Sequence, residues 1–147
     1  MNYKLLLLTM GTTLTMTSVF SVEEGARLFD AKCASCHTTK HPKEMTTLEM
    51  STMAAPPAMG IMNHVKMVHG NKEEAIKFIT EYALNPEKNK ALCMPKKIKR
   101  FGLMPSQKGK VTRAELTTLA AWLYDNFPPK DFIGHGKSHR LSVLKSK

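Results

Sequence analysis

Apolar residues recur every three or four positions in three stretches of the chain, which is the spacing of a helix with one buried face. The first stretch covers residues 22–32, where Phe29 shares a stripe with Cys33. The second begins near Asn71 and the third near Thr112, and each opens on a polar residue followed three positions later by glutamate, as helix N-caps do. No segment alternates apolar and polar residues as a strand does, so the sequence predicts an all-α domain.

The turns of this domain are expected where proline and glycine accumulate. Pro86 is expected to end the second helix, and Pro128 with Pro129 the third. Residues 38–60 hold three prolines and are expected to be irregular, before a short helix over residues 60–69.

The helical pattern also indicates which side chains face the core. Glu23 and Glu24 are expected in the first turn of the first helix, where acidic groups complement the helix dipole. In the other two helices the apolar positions, which predict the buried faces, are Ala75, Phe78, Ile79, Tyr82, Leu116, Leu119, Ala120, Leu123 and Phe127.

The N-terminal residues have the pattern of a secretory signal peptide. Lys4 precedes four leucines and an apolar run that ends at Phe20, and small residues mark a cleavage site after Ser21. An uncleaved membrane anchor is the alternative, but the run contains five threonines and is shorter than the ~20 apolar residues that a membrane span prefers. The sequence therefore predicts a signal peptide over residues 1–21, a periplasmic domain over residues 22–129 and a basic tail over residues 130–147.

The chain has three cysteines, and an odd number in an exported protein cannot all form intramolecular disulfides. Two of them belong to the sequence Cys-Ala-Ser-Cys-His at residues 33–37, which is the pattern of covalent haem attachment. In a helical turn the positions i, i+3 and i+4 share a face. Cys33 and Cys36 are therefore predicted to form thioethers with one haem c, and His37 is predicted to bind its iron.

Two other kinds of site use a pair of cysteines at this spacing. A thioredoxin-like redox pair follows a strand, whereas the residues before Cys33 have a helical pattern. A tetrahedral zinc site needs a second pair of ligands, and Cys93 stands alone. The histidine after the second cysteine, together with the export signal, favours haem. For Cys93, a buried apolar position is preferred over an intermolecular disulfide that joins two copies.

These motifs resemble those of class I monohaem c-type cytochromes. The matching stretches are EEGARLFDAKCASCH, which leads into the haem motif, FGLMPSQ, which is similar to the family's distal methionine loop, and TRAELTTLAAWLYDNF, which is similar to its last helix. The resemblance covers residues 23–127. It implies a cytochrome c fold, in which the first and last helices cross near Gly25 and Trp122 and the haem lies in a helical shell.

The group opposite His37 decides what the iron can do, because a methionine closes the sixth coordination position and suits electron transfer. The chain has eleven methionines, and two of them, Met94 and Met104, precede a proline that can fix a loop across the haem. Met104 is preferred as the distal ligand, since the resemblance places the family's ligand just ahead of the last helix. Met94 is the second choice.

Other side chains are weaker candidates for this position. A lone histidine is more often a surface residue than a ligand. The histidine candidates for this position therefore rank low, and they are His64, His69, His135 and His139. Met59, Met62 and Met67 have the composition of a copper(I) cluster when taken with two of these histidines. A methionine-rich wall beside the haem is the preferred interpretation, because methionine fills irregular gaps well.

Positive charge is concentrated around the predicted distal loop. The chain has a formal net charge of +10, and residues 88–113 include no acidic residue but nine basic ones, namely Lys88, Lys90, Lys96, Lys97, Lys99, Arg100, Lys108, Lys110 and Arg113. In the family, electrons pass through a haem edge near this loop. A basic collar there is expected to steer the protein to acidic surfaces on redox partners, an oxidase or reductase and a cytochrome donor. Export argues against nucleic acid, and weak contact with a membrane surface, above all by the tail, is the competing use of the charge.

The sequence therefore predicts an electron-transfer protein that shuttles single electrons through one haem. It is expected to have no catalytic residue and not to be an enzyme. The alternative is a haem-based sensor or ligand-binding module whose sixth ligand is displaced. A haem peroxidase ranks third, because no distal acid–base pair is evident.

Overall fold

The computed structural model describes the backbone of residues 17–132 and the side chains of residues 22–132. Within this range the chain forms six α-helices and one short 3-10 helix, and no strand. The elements are α1 (Thr17–Lys32), the 3-10 helix (Pro42–Glu44), α2 (Thr47–Thr52), α3 (Ala58–Val68), α4 (Lys72–Leu84), α5 (Pro95–Phe101) and α6 (Arg113–Asn126). The prediction of an all-α fold is confirmed for these residues.

Both ends of the chain, residues 1–16 and 133–147, lie outside the described residues. Most of the predicted signal peptide and of the basic tail falls there, and so do His135 and His139. The helix α1 runs through the predicted cleavage site after Ser21 without a break. Among the described helices, none is both long enough and apolar enough to cross a membrane.

The helices α1 and α6 cross at a glycine. Gly25 is buried, and a Cβ atom added to it would lie 2.2 Å from the Cβ of Trp122 and 3.3 Å from the carbonyl oxygen of Thr118. Only a residue without a side chain lets the two backbones approach so closely. Beside the crossing, the ring of Trp122 packs against Phe29 and Phe127, with ring centroids 5.5 and 5.3 Å away. The helix crossing that the resemblance implied is therefore present.

The core lies where α6 packs against α1, α3 and α4. Four of the five positions predicted for the buried face of the last helix are buried, but Phe127 is the C-cap residue of α6 and is only half-buried. Phe78, Ile79 and Tyr82 of α4 are also half-buried, because they line a cavity. The buried apolar residues are Leu28, Phe29, Ala58, Met59, Met62, Val65, Ala75, Ala83, Leu84, Val111, Leu116, Leu119, Ala120 and Leu123.

Side-chain caps start the helices α4 and α6 as predicted. At α6, the Thr112 hydroxyl accepts a hydrogen bond from the Glu115 N–H at 3.2 Å, and the Glu115 carboxylate accepts one from the Thr112 N–H at 2.7 Å. At α4, the Asn71 side chain accepts a hydrogen bond from the N–H of Glu74 at 2.9 Å. These bonds satisfy backbone donors that have no partner within the helix.

Two local predictions are wrong. Because α1 begins at Thr17, Glu23 and Glu24 do not lie in its first turn. Residues 38–60 are not irregular throughout, since they hold the 3-10 helix, α2 and the start of α3. The missed signal for α2 is another Thr-x-x-Glu pattern, in which Thr46 and Glu49 form a reciprocal capping box.

Pro95 begins a helix, although it was expected to hold an extended loop. It occupies the first helical position of α5, where the missing N–H of proline costs nothing. The helix ends at Gly102, whose φ of 75° lies in the left-handed region that favours glycine. As a result, α5 separates Met94 from Met104.

Thr80 of α4 provides a test of packing between α4 and α6. Its side chain is 3% exposed, and its hydroxyl has no hydrogen-bond partner. Thr80→Val replaces this hydroxyl by a methyl group and keeps the branched shape, so we expect the free energy of unfolding to rise by about 1 kcal/mol. Thr80→Ser, which keeps the hydroxyl and loses the methyl group, should lower it by about 1 kcal/mol. Urea denaturation measures both, and a destabilising Thr80→Val would show that the hydroxyl is satisfied.

Candidate functional site

A cavity of about 410 Å³ opens between the end of α1, the helices α3, α4 and α5, and the loop before α6. Its lining is mainly apolar, and it includes Cys33, Cys36, His37 and Met104. A cavity of this size with apolar walls and a few convergent polar groups is typical of a cofactor site. The structure thus brings together, around one space, the four side chains that the sequence analysis selected first.

The cysteine–histidine motif forms a single turn directly after α1. The N–H of Cys33 still bonds the carbonyl of Phe29 in α1 at 2.8 Å. The carbonyl of Cys33 then accepts hydrogen bonds from the N–H groups of Cys36 at 3.1 Å and His37 at 2.9 Å. Because this turn is helix-like, Cys33, Cys36 and His37 share a face as predicted, although the motif lies just beyond the end of α1.

The two motif cysteines differ in their surroundings. Cys33 is half-buried and Cys36 is exposed, and neither forms a disulfide. Burial raises the pKa of the Cys33 thiol, and the nearby Cys36 adds to this rise. Both sulfur atoms therefore remain available for bonding to a group in the cavity.

A backbone carbonyl orients the ring of His37. Its Nδ1 lies 2.8 Å from the carbonyl oxygen of Pro56, and because a carbonyl only accepts, Nδ1 must carry the proton. The neutral ring then has its lone pair on Nε2, which is the form that binds metal. Burial lowers the pKa of His37, against the opposing effect of the Pro56 hydrogen bond, so burial also favours the neutral ring.

Met104 lies on a loop that hydrogen bonds attach to α4. The side chain is half-buried and packs against a small cluster that includes Leu84 and Leu116. Next to it, the hydroxyl of Ser106 donates to the carbonyl of Leu84 at 2.6 Å, and the N–H of Gln107 donates to the carbonyl of Ala83 at 2.9 Å. These bonds hold the loop that carries Met104 in a fixed position relative to α4.

Met94, the second choice for a distal ligand, is placed differently. It is the N-cap residue of α5, its side chain is 45% exposed, and it does not belong to the cavity lining. Of the two methionines that precede proline, only Met104 faces the cavity.

The other methionines and histidines of the described residues do not converge on one site. Met62 is fully buried and lines the cavity, whereas Met67 is 59% exposed and lies beside the Asn63 amide. His69 packs at a tilt against Phe78, with ring centroids 4.7 Å apart, and is not itself one of the residues that line the cavity. In the described part of the chain, no group of three or more His, Cys, Asp or Glu side chains could hold a metal ion. Of the three methionines in the predicted methionine-rich wall, Met59, Met62 and Met67, only Met62 lines the cavity.

Several residues at the cavity had not been assigned a role from the sequence. Pro56 belongs to the stretch 38–60 that the sequence predicts to be irregular, and its residue type gives no signal that its carbonyl orients His37. Tyr82 was expected in the core, and Lys97 only on the surface, yet both line the cavity. Cys93 lines it as well, and burial raises the pKa of its thiol.

The helical shell, the crossing of α1 and α6, and the Cys-x-x-Cys-His turn at an apolar cavity together define a c-type cytochrome. The family described as cytochrome c oxidase, cbb3-type, subunit III matches residues 20–123, and the chain belongs to this family. Cytochrome c domains of this kind bind haem and transfer electrons through it. The residues around the cavity fit that group, since they supply the imidazole of His37, the thioether of Met104, the motif thiols of Cys33 and Cys36, and no carboxylate.

A relative and a negative result complete the comparison with known proteins. The chain is 30% identical over 114 residues to an uncharacterized protein of Aquifex aeolicus (strain VF5), and the match covers 72% of this chain and 75% of that protein. No solved structure shows a significant match.

Proposed function

We propose that the protein is an exported monohaem cytochrome c that carries single electrons between redox partners of a respiratory chain. The observation that carries this proposal is the shared cavity, because Cys33, Cys36, the oriented imidazole of His37 and Met104 all line it. Such a set would hold one covalently attached haem and would supply its iron with an imidazole nitrogen and a thioether sulfur as ligands. In this proposal residues 1–21 direct the chain to the periplasm and are removed there.

Each residue then has a definite role. The haem, when bound, supplies an iron that takes up and gives back one electron. Cys33 and Cys36 tether the macrocycle, and Pro56 holds His37 in the tautomer that can ligate. Met104 would supply the second protein ligand to the iron. The function needs no catalytic residue, and the protein is not an enzyme.

The apolar walls contribute to the same function. Met62 is fully buried, and Leu116 and Leu119 are each 2% exposed. These side chains keep water from the cavity, which favours the less charged, reduced state of the site and raises its potential. A methionine ligand acts in the same direction.

The intact mass of the protein purified from the periplasm tests attachment, haem number and processing together. We expect the mass of residues 22–147 plus one haem, and the mass without haem after Cys33→Ser and Cys36→Ser are combined. Two haems, or haem lost on denaturation of the wild-type protein, would contradict the proposal. Retention of residues 1–21 would instead support the membrane-anchored form.

A haem sensor with a displaceable sixth ligand remains the second candidate. Its supporting observation is that the loop carrying Met104 is bordered by Gly102 and Gly109, both with φ of 75°. Ready binding of carbon monoxide by the reduced wild-type protein would favour the sensor, whereas a closed site resists it.

Ion pairs reduce the basic collar predicted from the sequence. Lys90 pairs with Glu87, and Arg113 pairs with Glu81. The collar residues without such a pair in the described structure are Lys88, Lys96, Lys97, Lys99, Arg100, Lys108 and Lys110. Lys97 and Lys110 line the cavity, and Lys108 lies on the loop that carries Met104, so unpaired positive charge is present beside the cavity. This supports docking to acidic surfaces of an oxidase, a reductase or a cytochrome donor.

An anionic oxidant can probe this field without knowledge of the partner. We expect the double change Lys99→Glu and Lys108→Glu to slow oxidation of the reduced protein by ferricyanide about tenfold at low ionic strength. The effect should vanish in high salt, because salt screens exposed charges. Stopped-flow absorbance measures the rate.

The control reverses two charges elsewhere, at Lys77 on α4 and Lys40 beside α2. Lys77 lies in the groove between α4 and α6, and Lys40 pairs with Glu49 at 2.7 Å. The net charge of both double variants is the same. If the control variant is oxidised by ferricyanide equally slowly, the rate depends on net charge alone, and the basic collar is not a docking surface.

A further inference from the structure

The cavity has a second polar end, made by Tyr82 on α4 and Lys97 on α5. Both side chains line the cavity and are half-buried. We propose that Lys97 and Tyr82 bind the propionate carboxylates of the haem, with the ammonium and the phenol as donors. The inference rests on the proposed attachment through Cys33 and Cys36, and it assigns the opposite edge of the same cofactor.

The charged side chains of the cavity lining favour the binding of an anion. The lining includes three lysines and no aspartate or glutamate. A haem carries two carboxylates, and carboxylates taken out of water need cations or hydrogen-bond donors. We therefore expect the two carboxylates to bind one or more of Lys32, Lys97 and Lys110.

The chemistry of the macrocycle decides which lysine this is. Haem carries its two vinyl groups on neighbouring pyrroles and its two propionates on the other pair, at the opposite edge. Thioethers at Cys33 and Cys36 therefore direct the propionates away from the motif turn. Lys32 directly precedes Cys33, and its ammonium donates to the carbonyl of Lys110 at 3.3 Å. Lys32 and the backbone of Lys110 therefore lie on the motif side of the cavity.

Lys97 belongs to a different part of the wall. Its ammonium lies 5.7 Å from the centroid of the Phe101 ring on α5, and Phe101 lines the same cavity as Tyr82. The helix α1, whose end leads into the motif turn, has no extensive contact with α5. Lys97 is also less exposed than Lys32 and Lys110.

Tyr82 is prepared to donate a hydrogen bond. Its ring stacks on Phe78 with centroids 5.6 Å apart and planes 18° apart, which fixes its direction. Burial raises the pKa of Tyr82, so its phenol stays protonated at neutral pH. In the described structure this phenol donates to no protein acceptor, which leaves it available for a carboxylate.

The arrangement would also explain how α5 is held. Extensive helix contacts join α6 to α1, α3 and α4, and α5 takes part in none of them. Its ties are the Arg100 bond to the carbonyl of Met50 and the packing of Ile98 and Phe101 at the cavity. A bond from Lys97 to the cofactor would fix this helix to the haem.

The test is the pH dependence of the reduction potential, which reports propionate ionisation in the oxidised protein. With Lys97→Gln we expect the pKa of this ionisation to rise by about one unit, because an adjacent cation holds a carboxylate ionised. Tyr82→Phe should raise it in the same direction by less. Lys97→Arg should restore the wild-type value. The matched control is Lys110→Gln, which removes the same charge from the motif side and should leave the pKa nearly unchanged.

Two results would overturn the assignment. One is an equal or larger pKa shift in Lys110→Gln or Lys32→Gln. The other is no shift in either Lys97→Gln or Tyr82→Phe. Each preparation is first checked by its intact mass for one attached haem, so failure of the proposed function is seen before the titration begins. If Lys97→Gln does not fold, Tyr82→Phe and Lys97→Arg still decide the question.

Discussion

Gly25→Ala is expected to destabilise the haem-loaded protein by about 3 kcal/mol or more. The new methyl group would lie 2.2 Å from the Cβ and 2.7 Å from the Cγ of Trp122, and both atoms are close to the backbone of α6. A flexible side-chain end can move aside, but these atoms move only with the helix. The crossing of α1 and α6 must therefore open, which also loosens the contact of Phe29 with Trp122.

Gly60→Ala is the matched control for this change. Gly60 lies inside α3, and a Cβ atom added there meets nothing within 4 Å. The same substitution should therefore raise the free energy of unfolding by up to about 1 kcal/mol, because alanine favours a helix over glycine. Thermal or urea denaturation of both variants separates the effect of crowding from that of helix propensity. A Gly25→Ala variant as stable as the wild type would contradict the close crossing.

Met104→Ala is expected to open the sixth coordination position of the iron. The oxidised wild-type protein should show the weak long-wavelength charge-transfer band of methionine–iron ligation, and the variant should lose it. Its reduced form should bind carbon monoxide readily. The potential should fall, since a methionine ligand raises it. Absorption spectra of both oxidation states measure these changes.

Met94→Ala is the control, because Met94 precedes a proline as Met104 does but is 45% exposed and lies outside the cavity lining. We expect its spectra to match those of the wild type. If the band survives Met104→Ala and disappears in Met94→Ala, the assignment of the distal ligand is wrong. Loss of the band in both variants would show that α5 and its flanks act as one unit.

The long helices could be predicted from the sequence because their signals are local. The Thr112–Glu115 capping box and the apolar stripe of α6 act within a few residues of one another, and so do Asn71 and Glu74 at α4. The Cys-x-x-Cys-His pattern is equally local, since one turn brings its three side chains together. Such features do not depend on the rest of the fold.

The remaining features depend on distant parts of the chain. The carbonyl of Pro56 meets His37 only after residues 38–60 have folded, and a carbonyl has no signal in the residue type. The exposure of Met94 and the inward position of Lys97 both follow from the helix α5, which Pro95 starts rather than prevents. A helix of seven residues, rich in lysine, has too weak an apolar stripe to be recognised from its sequence.

The most direct test of the central claim is a potentiometric titration of the wild-type protein with and without carbon monoxide. One haem with His37 and Met104 as ligands predicts a single one-electron transition at the same potential in both conditions. A ligand that binds the reduced iron would raise the potential, as binding to one state always shifts the equilibrium towards that state. A potential raised by carbon monoxide, or more than one transition, would contradict a closed monohaem electron carrier.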